Sequence, residues 1–139
     1  MSESTAIDRW LNTVLAADAA LAAVVGTRIY ADQAPDSAPL PVVIYQVQSS
    51  RDLMALGAHR VWANTLYVVR GIAQTIAYGG NLITIADRID AVLHAASGST
   101  VEGEVYECVR EGEFRMTETA NGVQYRHLGG LYRILAKAS

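Results

Sequence analysis

The chain has 139 residues, of which 51% are apolar, with a formal net charge of −3. That length suits one domain with a single core, and the apolar share argues against disorder. A net negative chain is a poor sequence-independent binder of nucleic acid, which needs Lys and Arg to neutralise phosphate.

Residues 5–17 are read as an amphipathic helix, because Ile7, Trp10, Leu11, Val14 and Leu15 recur at helical spacing. Thr5 and Asp8 approximate a capping box at its start. Asp18 is placed to cap a second, Ala-rich helix ending at Val25, and Gly26 supplies the positive-φ stop. Thr27–Tyr30 reads as a short extended piece. A loop then holds all three prolines, Pro35, Pro39 and Pro41, which keep the chain open and deliver it into an apolar strand over 41–49. Both faces of that strand are apolar, so it is expected inside a sheet.

Residues 50–58 show no clean period and are expected to form a long hairpin loop carrying Leu53, Met54 and Leu56. Either these three mark a partner surface or the loop folds back and buries them. A strand follows over 59–71, with Val61, Thr65, Tyr67 and Val69 on one face and Trp62, Leu66 and Val68 on the other. Gly71 and Gly79-Gly80 bracket a connection. Asn81 is the expected N-cap of a helix striped by Leu82, Ile85, Ala86, Ile89, Val92, Leu93 and Ala96, with Ser97-Gly98-Ser99 ending it. Strands over 104–117 and 123–136 flank Asn121-Gly122, a strong hairpin signal. Gly129-Gly130 suggests a bulge in the last strand. The order predicts an α+β domain over 1–139: an antiparallel β-sheet with two main helices packed on one face, and long β-hairpins.

Reactive patterns are sparse. His59, His94 and His127 stand at no metal-ligand spacing from one another or from Cys108. Cys108, mid-strand, is expected to be a buried and inert thiol. Gly79-Gly80-Asn81 lacks the spacing and lysine of a phosphate loop, and reads as a turn and cap. A polar, acidic start, Met1-Ser-Glu-Ser-Thr, gives no secretory signal, and the lone cysteine suits a reducing compartment. Synthesis in a cytoplasm is expected, with no membrane insertion. Six of the seven glutamates lie at 102, 104, 107, 111, 113 and 118. With Arg110 and Arg115 the window 102–118 sums to −4. It reads either as a solvated strand face or as an acidic surface repeated around a ring.

The run Asp18–Val47, DAALAAVVGTRIYADQAPDSAPLPVVIYQV, resembles the opening of the tail completion proteins of long-tailed bacteriophages, also called tail terminator or head–tail joining proteins. Gly26-Thr27-Arg28, Tyr30, Pro35 and Leu40-Pro41 carry the resemblance, and Ile85–Ala95, IADRIDAVLHA, continues it. Gly26, Arg28, Tyr30 and Pro41 are accordingly expected as a structural motif. The resemblance implies a virion protein in the neck of the particle, made in the host bacterial cytoplasm. It implies a hexameric ring that caps the tail tube and meets the head connector, with DNA passing through and no cofactor, metal or catalysis. On that reading Leu53, Met54 and Leu56 are candidate interface residues, and Glu104, Glu107 and Glu111 are candidates for an acidic lumen or ring face. Two alternatives are a head-closure protein, and a small cytoplasmic α+β enzyme or ligand-binding dimer using His94 or His127 as acid/base beside a glutamate.

Overall fold

A computed structural model describes residues 2–57, 60–75 and 77–138. Helix α1 spans Glu3–Ala16 and α2 spans Ala19–Val25. Strands β1 (Ile29–Ala31), β2 (Val42–Met54) and β3 (Arg60–Gln74) follow, then α3 (Asn81–Leu93). The chain finishes with β4 (Ala96–Thr100), β5 (Gly103–Ala120) and β6 (Val123–Ala138). The strands form one curled sheet in the order β1-β2-β3-β6-β5-β4. Every neighbouring pair is antiparallel except β1 and β2, which run parallel. The expected all-antiparallel sheet is thereby corrected. The ten-residue Pro-rich connection brings β2 back beside β1 in the same sense.

The local signals at the first helices act through named atoms. Ser2, not Thr5 or Asp8, caps α1: its hydroxyl accepts from the Thr5 amide at 3.2 Å. The Asp18 carboxylate accepts from the Leu21 amide at 2.9 Å and starts α2. Gly26 ends α2 at φ +59°, a conformation that a Cβ disfavours.

The core lies between the helices and one face of the sheet. Ile7, Trp10, Leu11 and Leu15 of α1, and Ile85, Ile89 and Leu93 of α3, pack on Val43, Tyr45, Tyr67, Val69, Cys108, Tyr132 and Ile134. Thirteen to eighteen residues in each of β2, β3, β5 and β6 outrun the helices. Two hairpin arms therefore extend past the core, β2–β3 at one end and β5–β6 at the other.

Four further expectations are corrected. The strand β2 continues to Met54, so Leu53 and Met54 sit on a ladder with β3 and not in a loop. Backbone pairing holds this arm although Ser50, Arg51 and Asp52 are exposed. Periodicity reports burial, and these edge-strand side chains stay exposed although their rows reach the core at Ile134 and Ala136. Next, α3 stops at Leu93, and Ala96–Thr100 form β4 instead of the last helical turn. Ala95 at φ +63° turns the chain out, and its amide donates to the Cys108 carbonyl at 2.7 Å. Gly80, not Asn81, precedes the helix as its cap, with no side-chain cap bond. Finally, Gly129-Gly130 makes no bulge. The ladder irregularities between β5 and β6 fall at Val105/Glu107 and Arg110/Gly112, on β5. Gly129 is instead a point of close approach: a Cβ there would lie 2.0 Å from the Val69 carbonyl oxygen.

Candidate assembly surface

The motif residues Gly26, Arg28, Tyr30 and Pro41 converge on one joint. The Arg28 guanidinium donates from Nε to the Pro41 carbonyl at 3.0 Å and from Nη2 to the Val24 carbonyl at 3.3 Å. It thus ties the end of α2 to the start of β2. The Val43 amide returns a bond to the Arg28 carbonyl at 3.0 Å. Tyr30 is half-buried opposite Ile44 in the parallel pair. An arginine suits this joint because its planar fork reaches two carbonyls at once.

Leu53, Met54 and Leu56 gather at the end of the β2–β3 arm. Met54 is 59% and Leu56 96% exposed, while Leu53 is half-buried. His59, expected at the start of the strand over 59–71, lies outside the described residues.

The acidic stretch does not act as one block. Glu102 is buried and pairs with Arg9 at 2.6 Å. Glu111 is gripped by both Arg133 Nε and Arg133 Nη2, and Arg133 also donates to Asn64 at 2.9 Å. The Arg133 guanidinium holds the Glu111 carboxyl below its ordinary range. Glu118 meets His127 at 3.2 Å. Glu104 stands opposite Lys137 in the ladder. The −4 of the linear window is therefore offset by neighbours from α1 and β6. Glu104 and Glu107, with rows through Lys137 and Leu135, lie on the face of the sheet away from the core, and both are exposed. On that open face Trp62 and Tyr106 also meet, with ring centroids 5.6 Å apart.

His127 is 3% exposed and joins Arg70 to Glu118. Arg70 Nε donates to Nδ1 at 3.0 Å, so the imidazole proton sits on Nε2 and points at Glu118. Burial holds this imidazole below its ordinary pKa. Both ring nitrogens are committed, which leaves no lone pair for a substrate. His94 likewise spends Nδ1 on the Arg110 amide, at 3.2 Å. Cys108 is buried, and desolvation pushes its thiol up to about 12, so the thiolate needed for nucleophilic chemistry is scarce. Among the described residues no three of His, Cys, Asp and Glu stand close enough to hold a metal ion. Among the described residues no helix is long and apolar enough to cross a membrane.

Sequence reasoning missed a groove of about 1180 Å³ between the Pro-rich loop and the β3–α3 connection. Pro35, Pro39, Val42 and Ile72 line it, with Glu118 and Tyr125 at the β5–β6 arm. Its parts are distant in the chain, so no local pattern could have shown it. The Arg70–His127–Glu118 chain went unseen for the same reason.

The chain is similar to a chain of the virion of a native gene transfer agent particle, at 17% identity and a TM-score of 0.69, with 98% of each chain covered. No curated protein matches the sequence. Residues 10–127 match the pattern of the family described as tail completion protein gp17. The chain belongs to that family and is a structural protein of the virion tail.

Proposed function

We propose that this protein caps the phage tail tube as a ring of six copies and joins the tail to the head connector. Membership of the tail completion family, over residues 10–127, carries the reading. The work is binding, without catalysis or cofactor. Copies related by a rotation meet through two different surfaces, and such heterologous contacts close only if the rotation does. Leu53, Met54 and Leu56, at the end of a projecting arm, serve as a contact with a neighbouring copy or with the tube.

In the same reading the open face of the sheet turns to the channel. Glu104 and Glu107 are then the repelling groups toward DNA phosphate. Glu111 adds little, because Arg133 neutralises it. A DNA-conducting wall benefits from weak repulsion, since bound phosphate would stall passage.

Removing the gene from the particle's genome tests the function. Unjoined heads and tails, with tubes of irregular length, are expected, and purified protein should restore joining. Normal joined particles without the protein would overturn the proposal. Purified rings should also have a mass near six subunits.

A further inference from the structure

Among the described residues, the sheet leaves two long backbone edges uncovered. On one side β1 pairs only with Val43–Tyr45 of β2, and the Asp32 amide adds one bond to the Tyr45 carbonyl at 2.9 Å. Gln46–Met54 continue beyond it with β3 as their ladder partner. On the other side β4 pairs with β5 only between Gly103 and Cys108. The side chain of His94 caps the next amide, that of Arg110. Glu111–Ala120 then run on with β6 as their ladder partner. The two uncovered runs are nine and ten residues long. Strand edges of that length recruit another strand, and native proteins blunt or cover them.

We propose that the uncovered run of β2 in one copy pairs antiparallel with the uncovered run of β5 in the next copy, making the ring one continuous sheet. The inference rests on the ring reading above and names the contact that closes it. Strand sense supports it. β2, β3, β6 and β5 alternate in direction, so β2 and β5 run opposite ways within one copy. Rotation about a ring axis preserves those directions. The β2 edge of one copy therefore meets a β5 edge antiparallel to it, which is the favoured pairing.

The side chains fit one register. Opposed residues in a ladder share a face. Asp52 lies in a row with Ala63 and Ala136, and Arg115 in a row with Leu128 and Gly71. Ala136 is in the core, and a Cβ on Gly71 would strike Ile85. Both rows thus belong to the helix-bearing face. Asp52 opposite Arg115 sets unlike charges together, and the same register sets Leu53 opposite Phe114 on the open face. It also puts Ser50 opposite Thr117.

Ring closure then dictates how the strands lean. Ser50 shares a row with Thr65 and Ile134, and Thr117 with Arg126. These rows lie eight residues apart along β6, about 26 Å at the rise of a strand. Adjacent copies are offset by that distance along the strands. The offset closes into a ring only if the strands incline to the axis, as stagger and tilt are linked in any closed barrel.

Hydrogen exchange read by mass spectrometry, on assembled rings and on dissociated subunits, tests the contact. Assembly should slow exchange at least tenfold in segments 46–54 and 111–120. A charge swap reads the register. Asp52→Arg and Arg115→Asp should each weaken the ring, and the two together should restore it. Rings whose two segments exchange as fast as in free subunits overturn the pairing and leave the ring reading standing. Protected segments with no rescue by the swap overturn the register. A single-subunit mass with uncapped tubes overturns the ring reading itself.

Discussion

Tyr67 and Tyr132 stand opposite each other on β3 and β6, both buried, and each hydroxyl reaches a different helix. Tyr67 donates to Asp8 of α1 at 2.7 Å, and Tyr132 to Asp90 of α3 at 3.2 Å. One row of the sheet thereby orients both long helices. Burial, ahead of the carboxylate partners, pushes both phenols above their ordinary pKa.

Tyr67→Phe should lower stability by about 1–2 kcal/mol, because the half-buried Asp8 loses its donor. Denaturant melts of Tyr67→Phe, Asp8→Ala and the double variant check this. The double variant should lose less than the sum of the singles. Strict additivity would mean that the bond carries no coupling.

Asp18 does two things at once. It caps α2 and takes a bidentate pair from Arg88 of α3, at 3.0 and 2.7 Å. The Arg88 hydrogen bond holds its carboxyl below the ordinary value. A depressed carboxylate stabilises above its unfolded pKa, near 3.8, and the contribution is lost as pH falls through the folded value. Asp18→Asn, which can still cap, should flatten the stability curve below about pH 4. Asp18→Ala should cost about 1–2 kcal/mol at pH 7 through the cap alone. Thermal melts across pH separate the two roles.

Gly129→Ala should be the most damaging single methyl in the sheet. Its Cβ would meet the Val69 carbonyl at 2.0 Å and the Arg70 Cα at 2.5 Å, and backbone cannot step aside cheaply. A loss of about 2 kcal/mol or more is expected, read as a drop in Tm of several degrees. Gly112→Ala is the control, since nothing lies near a Cβ there.

His127 gives the fold an acid sensitivity. Its pKa is lowered by burial, so its contribution is full above the unfolded value near 6.5 and fades as pH falls through the folded one. Protonation would also aim an Nδ1–H at the Arg70 Nε–H. Tm should fall between pH 7 and 5 more steeply in the native protein than in His127→Gln, whose amide oxygen can still accept from Arg70. Parallel slopes would assign the acid loss elsewhere.

Changing Leu53, Met54 and Leu56 together to Ser should leave circular dichroism and subunit Tm nearly unchanged, because the arm lies beyond the core. Association into rings or with tail tubes should weaken. An unfolded triple variant would make the arm's end part of the core and overturn its role as a contact.

Features that depend on neighbours along the chain were legible from the residues alone. Asp18 and Gly26 bound α2, Asn121-Gly122 turns the last hairpin, and the run Asp18–Val47 lies within the stretch that matches the family. These are local preferences of φ, ψ and capping, so local residues suffice to read them. Burial periodicity likewise located α1 and most of α3, since each lays one stripe on the core. Features that depend on pairing across the sheet emerged with the fold. The polar residues Ser50–Asp52 form a strand because β3 supplies a ladder. Residues 96–100 form β4 because β5 does the same. Gly129 is required by the backbone of β3, and the glutamates at 102, 111 and 118 find Arg9, Arg133 and His127 on other elements. A one-dimensional charge sum or hydrophobic period contains none of these partners, because their distance in space is set by register and not by separation along the chain.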